Sequence, residues 1–140
     1  MDRDLVRNLL ETLPYVHKKL LKSVKPDIVT KQEMHMLHMI RYHTNIPMSE
    51  YGEKMGISKP NLSKLIQGLM EKGYIEKQQD QKVRRVFKLE LTASGEAYIE
   101  KAREEIEKII EKKLSKLDDK DLEALNGALK TIQQIIDKVD

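Results

Sequence analysis

Residues 47–92 read PMSEYGEKMGISKPNLSKLIQGLMEKGYIEKQQDQKVRRVFKLELT. A short helix is predicted from about Ser49 to Met55, and Gly56 after it supplies the left-handed residue that a tight interhelical corner favours. Ser58 is placed to cap a second helix, where Pro60 is tolerated because first-turn amides have no intrahelical acceptor to lose. Leu62, Leu65, Ile66 and Leu69 recur at helical spacing and are expected to face inward. The opposite face carries Lys59, Asn61, Ser63, Lys64 and Gln67, short polar or long cationic groups suited to base edges and phosphates. Gly73 closes the helix. Two strand-like runs follow, Tyr74-Ile75-Glu76-Lys77 and Val86-Phe87-Lys88-Leu89-Glu90-Leu91, the second alternating at period two. This order of elements is that of a winged helix-turn-helix.

The loop between the strands, Gln78 to Arg85, is polar and basic. A hairpin with a cationic tip beside a recognition helix suits a minor groove or its flanking phosphates. Charge is distributed accordingly. The chain carries a net charge of only +3, but Lys54 to Lys88 holds nine Lys/Arg against three acids, a net of +6. From Glu96 onward twelve acids face nine bases, a net of −3. Positive charge gathered on the middle third is the footprint expected of a surface facing phosphates, although a solvated lysine face gives the same count.

The flanks read as helices. Leu5, Leu9, Leu13, Val16 and Leu20 form one stripe over residues 3 to about 24, widened by Leu10 and Leu21. Pro14 lies within it, which predicts a kink near Glu11 or a start near Pro14. Lys25-Pro26-Asp27 is expected to break the helix. Thr30-Lys31-Gln32-Glu33 is a capping box opening a helix to about Tyr42. Met34, Leu37 and Ile40 share one of its faces and Met36 and Met39 another, so burial on more than one side is expected. Thr92 caps a helix running to about Lys116, about 36 Å long, with Ile99, Ala102, Ile106, Ile109 and Ile110 on its apolar side. A last helix opens near Asp118, with Leu122, Leu125, Leu129, Ile132, Ile136 and Val139 as its stripe and Ile135 widening it. Terminal helices this apolar call for a partner, most simply a second copy. At 140 residues and 35% charged residues, a single helix-rich soluble domain is expected. The sequence contains no cysteine, hence neither disulfide nor thiolate metal site, and no apolar run of about 20 residues. With no signal-peptide pattern in MDRDLVRNLL, a cytoplasmic location without membrane attachment is expected.

The run ISKPNLSKLIQGLMEKGYIEK, followed by VRRVFKLELTASGE, resembles the MarR family (multiple antibiotic resistance regulator) of transcription factors. The most specific pieces are L-x-x-L-M-E-K-G-Y-I-E-K and the L-T-x-x-G after the second wing strand. The resemblance implies a mainly α fold with a small β-hairpin wing. It implies a winged helix-turn-helix lobe at about 30–92 and dimerisation helices at about 1–25 and 96–140 of one domain spanning 1–140. It further implies a homodimer on double-stranded DNA, with recognition residues Ser58, Lys59, Pro60, Asn61, Ser63, Lys64 and Gln67 in a major groove and wing arginines Arg84 and Arg85 in the adjacent minor groove of a near-palindromic site. Lys77 and Lys82 join that DNA-facing set, Lys77 standing where an arginine is more usual. Most members repress, and many release DNA when a small phenolic or lipophilic ligand binds. One departure is plain. The family wing usually carries Asp-x-Arg, whereas here Val83 stands at the aspartate position ahead of Arg85. The arginine thereby loses a charge-assisted partner, and Asp80 and Glu76 are the nearby carboxylates that could replace it.

Other readings compete. His35 and His38, three apart on one helix, could begin a zinc site, which needs three or four converging ligands; packed or surface histidines are the commoner explanation. Met34, Met36, Met39, Met48, Met55 and Met70 could line a plastic pocket or fill core. Tyr15 and Tyr42, with His38, are the candidates for holding a ligand, each tyrosine offering an apolar ring and an orienting hydroxyl. There is neither a glycine-rich phosphate loop nor a nucleophile elbow. Paired acids such as Glu104 and Glu105, or Asp118 and Asp119, read as solvated helix charges, so neither an enzyme nor a cofactor is expected. The function expected is a sequence-specific DNA-binding transcription regulator, a homodimeric repressor. The alternatives are a winged-helix interaction module that uses its basic face on an acidic protein, and a zinc-responsive regulator.

Overall fold

The computed structural model describes residues 1–24 and 29–140. The expected break at Lys25-Pro26-Asp27 lies outside the described residues. Eight elements follow one another: α1 (Arg3–Leu21), α2 (Lys31–Tyr42), α3 (Glu50–Met55), α4 (Lys59–Glu71), β1 (Ile75–Gln79), β2 (Phe87–Leu91), α5 (Ala93–Leu114) and α6 (Asp119–Ile136). Among the described residues the fold is mainly α with one antiparallel hairpin, a winged helix-turn-helix lobe preceded and followed along the chain by further helices. Apart from α3, whose Ser49 makes no capping bond, the helices begin at side-chain caps. Thr30 and Glu33 make both bonds of the capping box, Ser58 Oγ accepts from the Asn61 amide, and Asp118 accepts from the Asp121 amide. α1 contains Pro14 rather than starting at it. The strands are displaced from their expected limits, since Tyr74 and Val86 lie outside them and Gln78 and Gln79 lie within β1.

The chain divides into two compact units, Lys25–Glu104 and Met1–Val24 with Glu105–Asp140. The first closes a core of its own. Tyr51, Met36, Leu37, Ile40, Leu69 and Leu89 are at most 1% exposed, and Met34, Met39, Met48 and Met55 pack against them. Most of the methionines therefore serve as core or its margin. Tyr51 reconciles its buried hydroxyl with this core by donating to the His43 carbonyl at the end of α2. In the other unit neither α1 nor α6 has a buried residue. Leu10, Leu13, Leu129, Ile135 and Ile136 are all exposed by half or more. Within that unit Lys113 donates to the Lys19 and Leu20 carbonyls at 3.0 and 2.8 Å, closing the C-terminal end of α1.

The hairpin pairs in the register Ile75↔Leu91 to Gln79↔Phe87. Its buried residues are Ile75 at the root and Leu89 midway along β2. The Met48 amide donates to the Phe87 carbonyl at 2.7 Å, tying β2 to the segment before α3.

Candidate nucleic-acid interface

The corner between α3 and α4 is built from backbone constraints. Gly56 sits at φ 65°, where a side chain would be strained, and the Ile57 amide returns to the Gly52 carbonyl at 3.0 Å. α4 then leaves with Leu62, Ile66 and Leu69 buried. Lys59, Pro60, Asn61, Ser63, Lys64 and Gln67 are exposed on its other side, as is Ser58 at its cap. Gln67 donates to Glu71 at 3.3 Å on that surface. At the far end Gly73 takes φ 77°. The Tyr74 and Gly73 amides bond back to the Leu69 and Met70 carbonyls, each at 3.0 Å, a paired C-terminal cap.

The two most specific motif pieces form one joint. The Thr92 hydroxyl donates to the Gly73 carbonyl at 2.6 Å and accepts from the Gly95 amide at 3.0 Å. The Thr92 amide donates to the Tyr74 carbonyl at 3.0 Å. A Cβ at position 95 would lie 2.1 Å from that same Tyr74 oxygen, so only glycine fits. Tyr74 and Tyr98 stack across the joint with centroids 4.6 Å apart. Thus the glycine and tyrosine after α4 and the threonine and glycine opening α5 clasp each other, and the hairpin projects from between them.

The wing tip is held by its own residues. Asp80 Oδ1 accepts from the Lys82 amide at 2.8 Å, and Lys88 Nζ lies 3.6 Å from Asp80 Oδ2. The Lys82 amide bond, with help from the Lys88 charge, lowers the pKa of the Asp80 carboxyl. Gln79 donates to the Arg84 carbonyl at 2.7 Å. Asp80 therefore shapes the turn and does not stand in for the absent aspartate. Glu76 accepts from Gln78 instead. Among the described residues neither Arg84 nor Arg85 pairs with a carboxylate, and Lys82, Arg84 and Arg85 are exposed beside an exposed Val83. Lys77 lies within β1, its ammonium 5.3 Å from the Phe87 ring centroid. A groove of about 470 Å³ lined by Met48, Ser63, Gln67, Met70 and Lys77 runs between α4 and the hairpin root.

The basic footprint is narrower than the residue count suggests. Lys72 is committed to Glu33, and Lys88 to Asp80 and to Asn45 Oδ1 at 2.7 Å. Glu33 was legible as a cap, but its burial was not taken from the sequence. It shares an i, i+4, i+7 stripe with Leu37 and Ile40, which was the available signal. Burial raises its pKa, and this is outweighed by the bonds from Lys72 and Thr30, so the group is lowered overall.

Of the ligand candidates, His38 and Tyr42 stack with centroids 6.5 Å apart. Burial first, then the Arg41 and His35 charges, hold the His38 pKa below its ordinary value. Tyr15 belongs to the other unit, where it lines a cavity with Lys18, Lys19, Lys22 and Lys113. His35 and His38 gain no third partner: among the described residues no three His, Asp or Glu side chains converge as a metal site. Among those residues, too, no helix is long and apolar enough to cross a membrane.

Residues 29–87 match the MarR family model. No curated protein sequence matches the chain. Among solved structures, the transcriptional regulator Tm0710 from Thermotoga maritima is 25% identical with a TM-score of 0.80, covering 98% of this chain and 96% of that one. YusO from Bacillus subtilis is 22% identical with a TM-score of 0.71, covering 96% and 98%. FabT from Streptococcus pneumoniae, solved in complex with DNA, is 17% identical with a TM-score of 0.57, covering 99% and 96%.

Proposed function

We propose that the chain, whose residues 29–87 match the MarR family model, is a DNA-binding regulator of that family and acts as a homodimeric repressor of a near-palindromic operator. The observation that carries this reading is the pairing, in one compact unit, of an exposed polar face on α4 with an exposed basic wing tip. Ser58, Lys59, Pro60, Asn61, Ser63, Lys64 and Gln67 enter a major groove. Lys82, Arg84 and Arg85 reach the adjacent minor groove or its phosphates, and Lys77 supports them from the hairpin. Asn61 and Gln67 have the amide geometry that reads adenine, and Lys59 and Lys64 the charge that meets guanine or phosphate. The apolar faces of α1 and α6 are the surfaces a second copy covers, consistent with their exposure in the single chain. A small lipophilic or phenolic ligand is the release signal, with the stacked His38–Tyr42 pair as its candidate contact in one unit and the Tyr15 cavity as a separate candidate in the other.

The test is selection of random duplex DNA on the purified protein, followed by affinity against salt. An inverted repeat with half-sites about one helical turn apart is expected. Arg84→Ala should weaken binding to every sequence and reduce the salt slope by about one. An unchanged slope would remove Arg84 from the interface. Steeply salt-dependent binding with no enriched motif would instead favour an acidic protein partner for the basic face.

A further inference from the structure

The pair of Glu33 and Lys72 stands outside the exposed face that meets DNA, yet it joins α2 to the end of the recognition helix. Lys72 Nζ lies 2.8 Å from both Glu33 oxygens. The Glu33 side chain is 7% exposed and that of Lys72 32%. The Thr30 amide also donates to Glu33 Oε1 at 3.0 Å, so the carboxylate belongs at once to the α2 capping box and to the α4 contact. Gly68, one turn before Lys72, makes room for it: a Cβ there would sit 3.2 Å from Glu33 Oε2. Apolar packing of Leu62, Ile66 and Leu69 is non-directional and sets the spacing of the two helices without fixing their register. A two-point ammonium–carboxylate contact is directional.

We infer that Glu33 and Lys72 are positioning residues for sequence readout, setting the angle at which α4 presents Asn61 and Lys64; this rests on the DNA-binding reading above. Asn61 and Lys72 are eleven positions apart, about 16 Å of helix. A tilt of roughly 5° at the Lys72 end swings Asn61 by about 1.4 Å, beyond the ~0.5 Å within which a binding constellation must be held. Phosphate contacts made by long flexible side chains tolerate such a swing, and base-edge contacts do not. Lys72 itself touches no phosphate in this reading, because Glu33 already holds its ammonium.

The experiment separates positioning from plain stability. Lys72→Met alone strands a buried carboxylate and endangers the fold. The double variant Glu33→Gln/Lys72→Met removes both charges and keeps a Gln able to complete the capping box. For wild type and double variant, melting temperature, affinity for the selected duplex, affinity for a scrambled duplex and both salt slopes are measured. The expected result is a melting temperature near wild type, an unchanged slope, and a fall of about tenfold in the selected-to-scrambled ratio. An unchanged ratio overturns the inference. A slope lower by about one also overturns it, making Lys72 a phosphate contact. If wild type itself selects no motif, the DNA-binding reading fails and the inference falls with it, an outcome distinct from either of the others.

Discussion

The two compact units differ in what they do with their apolar side chains. In the unit of Lys25–Glu104, Tyr51, Met36, Leu37 and Leu69 are fully enclosed by the chain itself. In the other, α1 and α6 bury no residue, although their stripes are as regular in sequence. Equal periodicity therefore leads to unequal burial. Helical spacing says that a face is apolar, and only the available neighbours decide whether it is covered. A lobe that closes on itself can hold a fixed surface, while under the dimer reading proposed above the terminal helices' stabilisation would depend on protein concentration.

The comparison breaks most visibly on α6. Leu129→Glu places a charge on the exposed stripe and should cost about 2 kcal/mol per copy, about 4 kcal/mol for a two-fold dimer. That corresponds to about a thousandfold rise in the dimer dissociation constant, read by sedimentation, with the lobe still folded by hydrogen exchange. A dimer of unchanged strength would put the partner surface elsewhere. Gly95→Ala tests the self-sufficient unit instead. Its Cβ would collide with the Tyr74 carbonyl and should lower lobe stability by about 3 kcal/mol, seen in urea unfolding without loss of self-association at low denaturant. The smallest effect is in acid. The Glu33 pKa is lowered in the folded protein, so its contribution is complete above the ordinary glutamate value of 4.5 and is lost as pH falls through the lower folded value. Glu33→Gln should flatten that acid limb of lobe stability while leaving the terminal helices' acid response unchanged.

Much of the lobe was legible because its signals are local. Caps at Thr30, Ser58, Thr92 and Asp118, the left-handed glycines 56 and 73, and the helical stripes all act within four or five residues. The strand limits slipped because Tyr74 and Val86 suit a strand in composition but serve as cap partner and turn residue. What composition could not reveal were pairings between distant residues. Glu33 meets Lys72, Asn45 meets Lys88, and Thr92 meets Gly73 across separations that no local pattern spans. Two of these withdraw lysines from the basic count, so charge tallied along the chain overstated what faces outward. The wing shows the same limit in reverse: Val83 was conspicuous in sequence, but only the geometry assigns Asp80 to the turn instead of to Arg85.

The clasp between Gly73–Tyr74 and Thr92–Gly95 also bears on how such a protein can diverge. Both ends of the hairpin are fastened by residues outside its tip, Thr92 to Gly73 on one side and Met48 to Phe87 on the other. The tip can then grow or shrink as a graft on a fixed root. Doubling the length of a flexible loop costs only about 0.6 kcal/mol in closure entropy. New arms of different reach and charge could thus be installed between Asp80 and Val86 without refolding the lobe, leaving the exposed face of α4 in place.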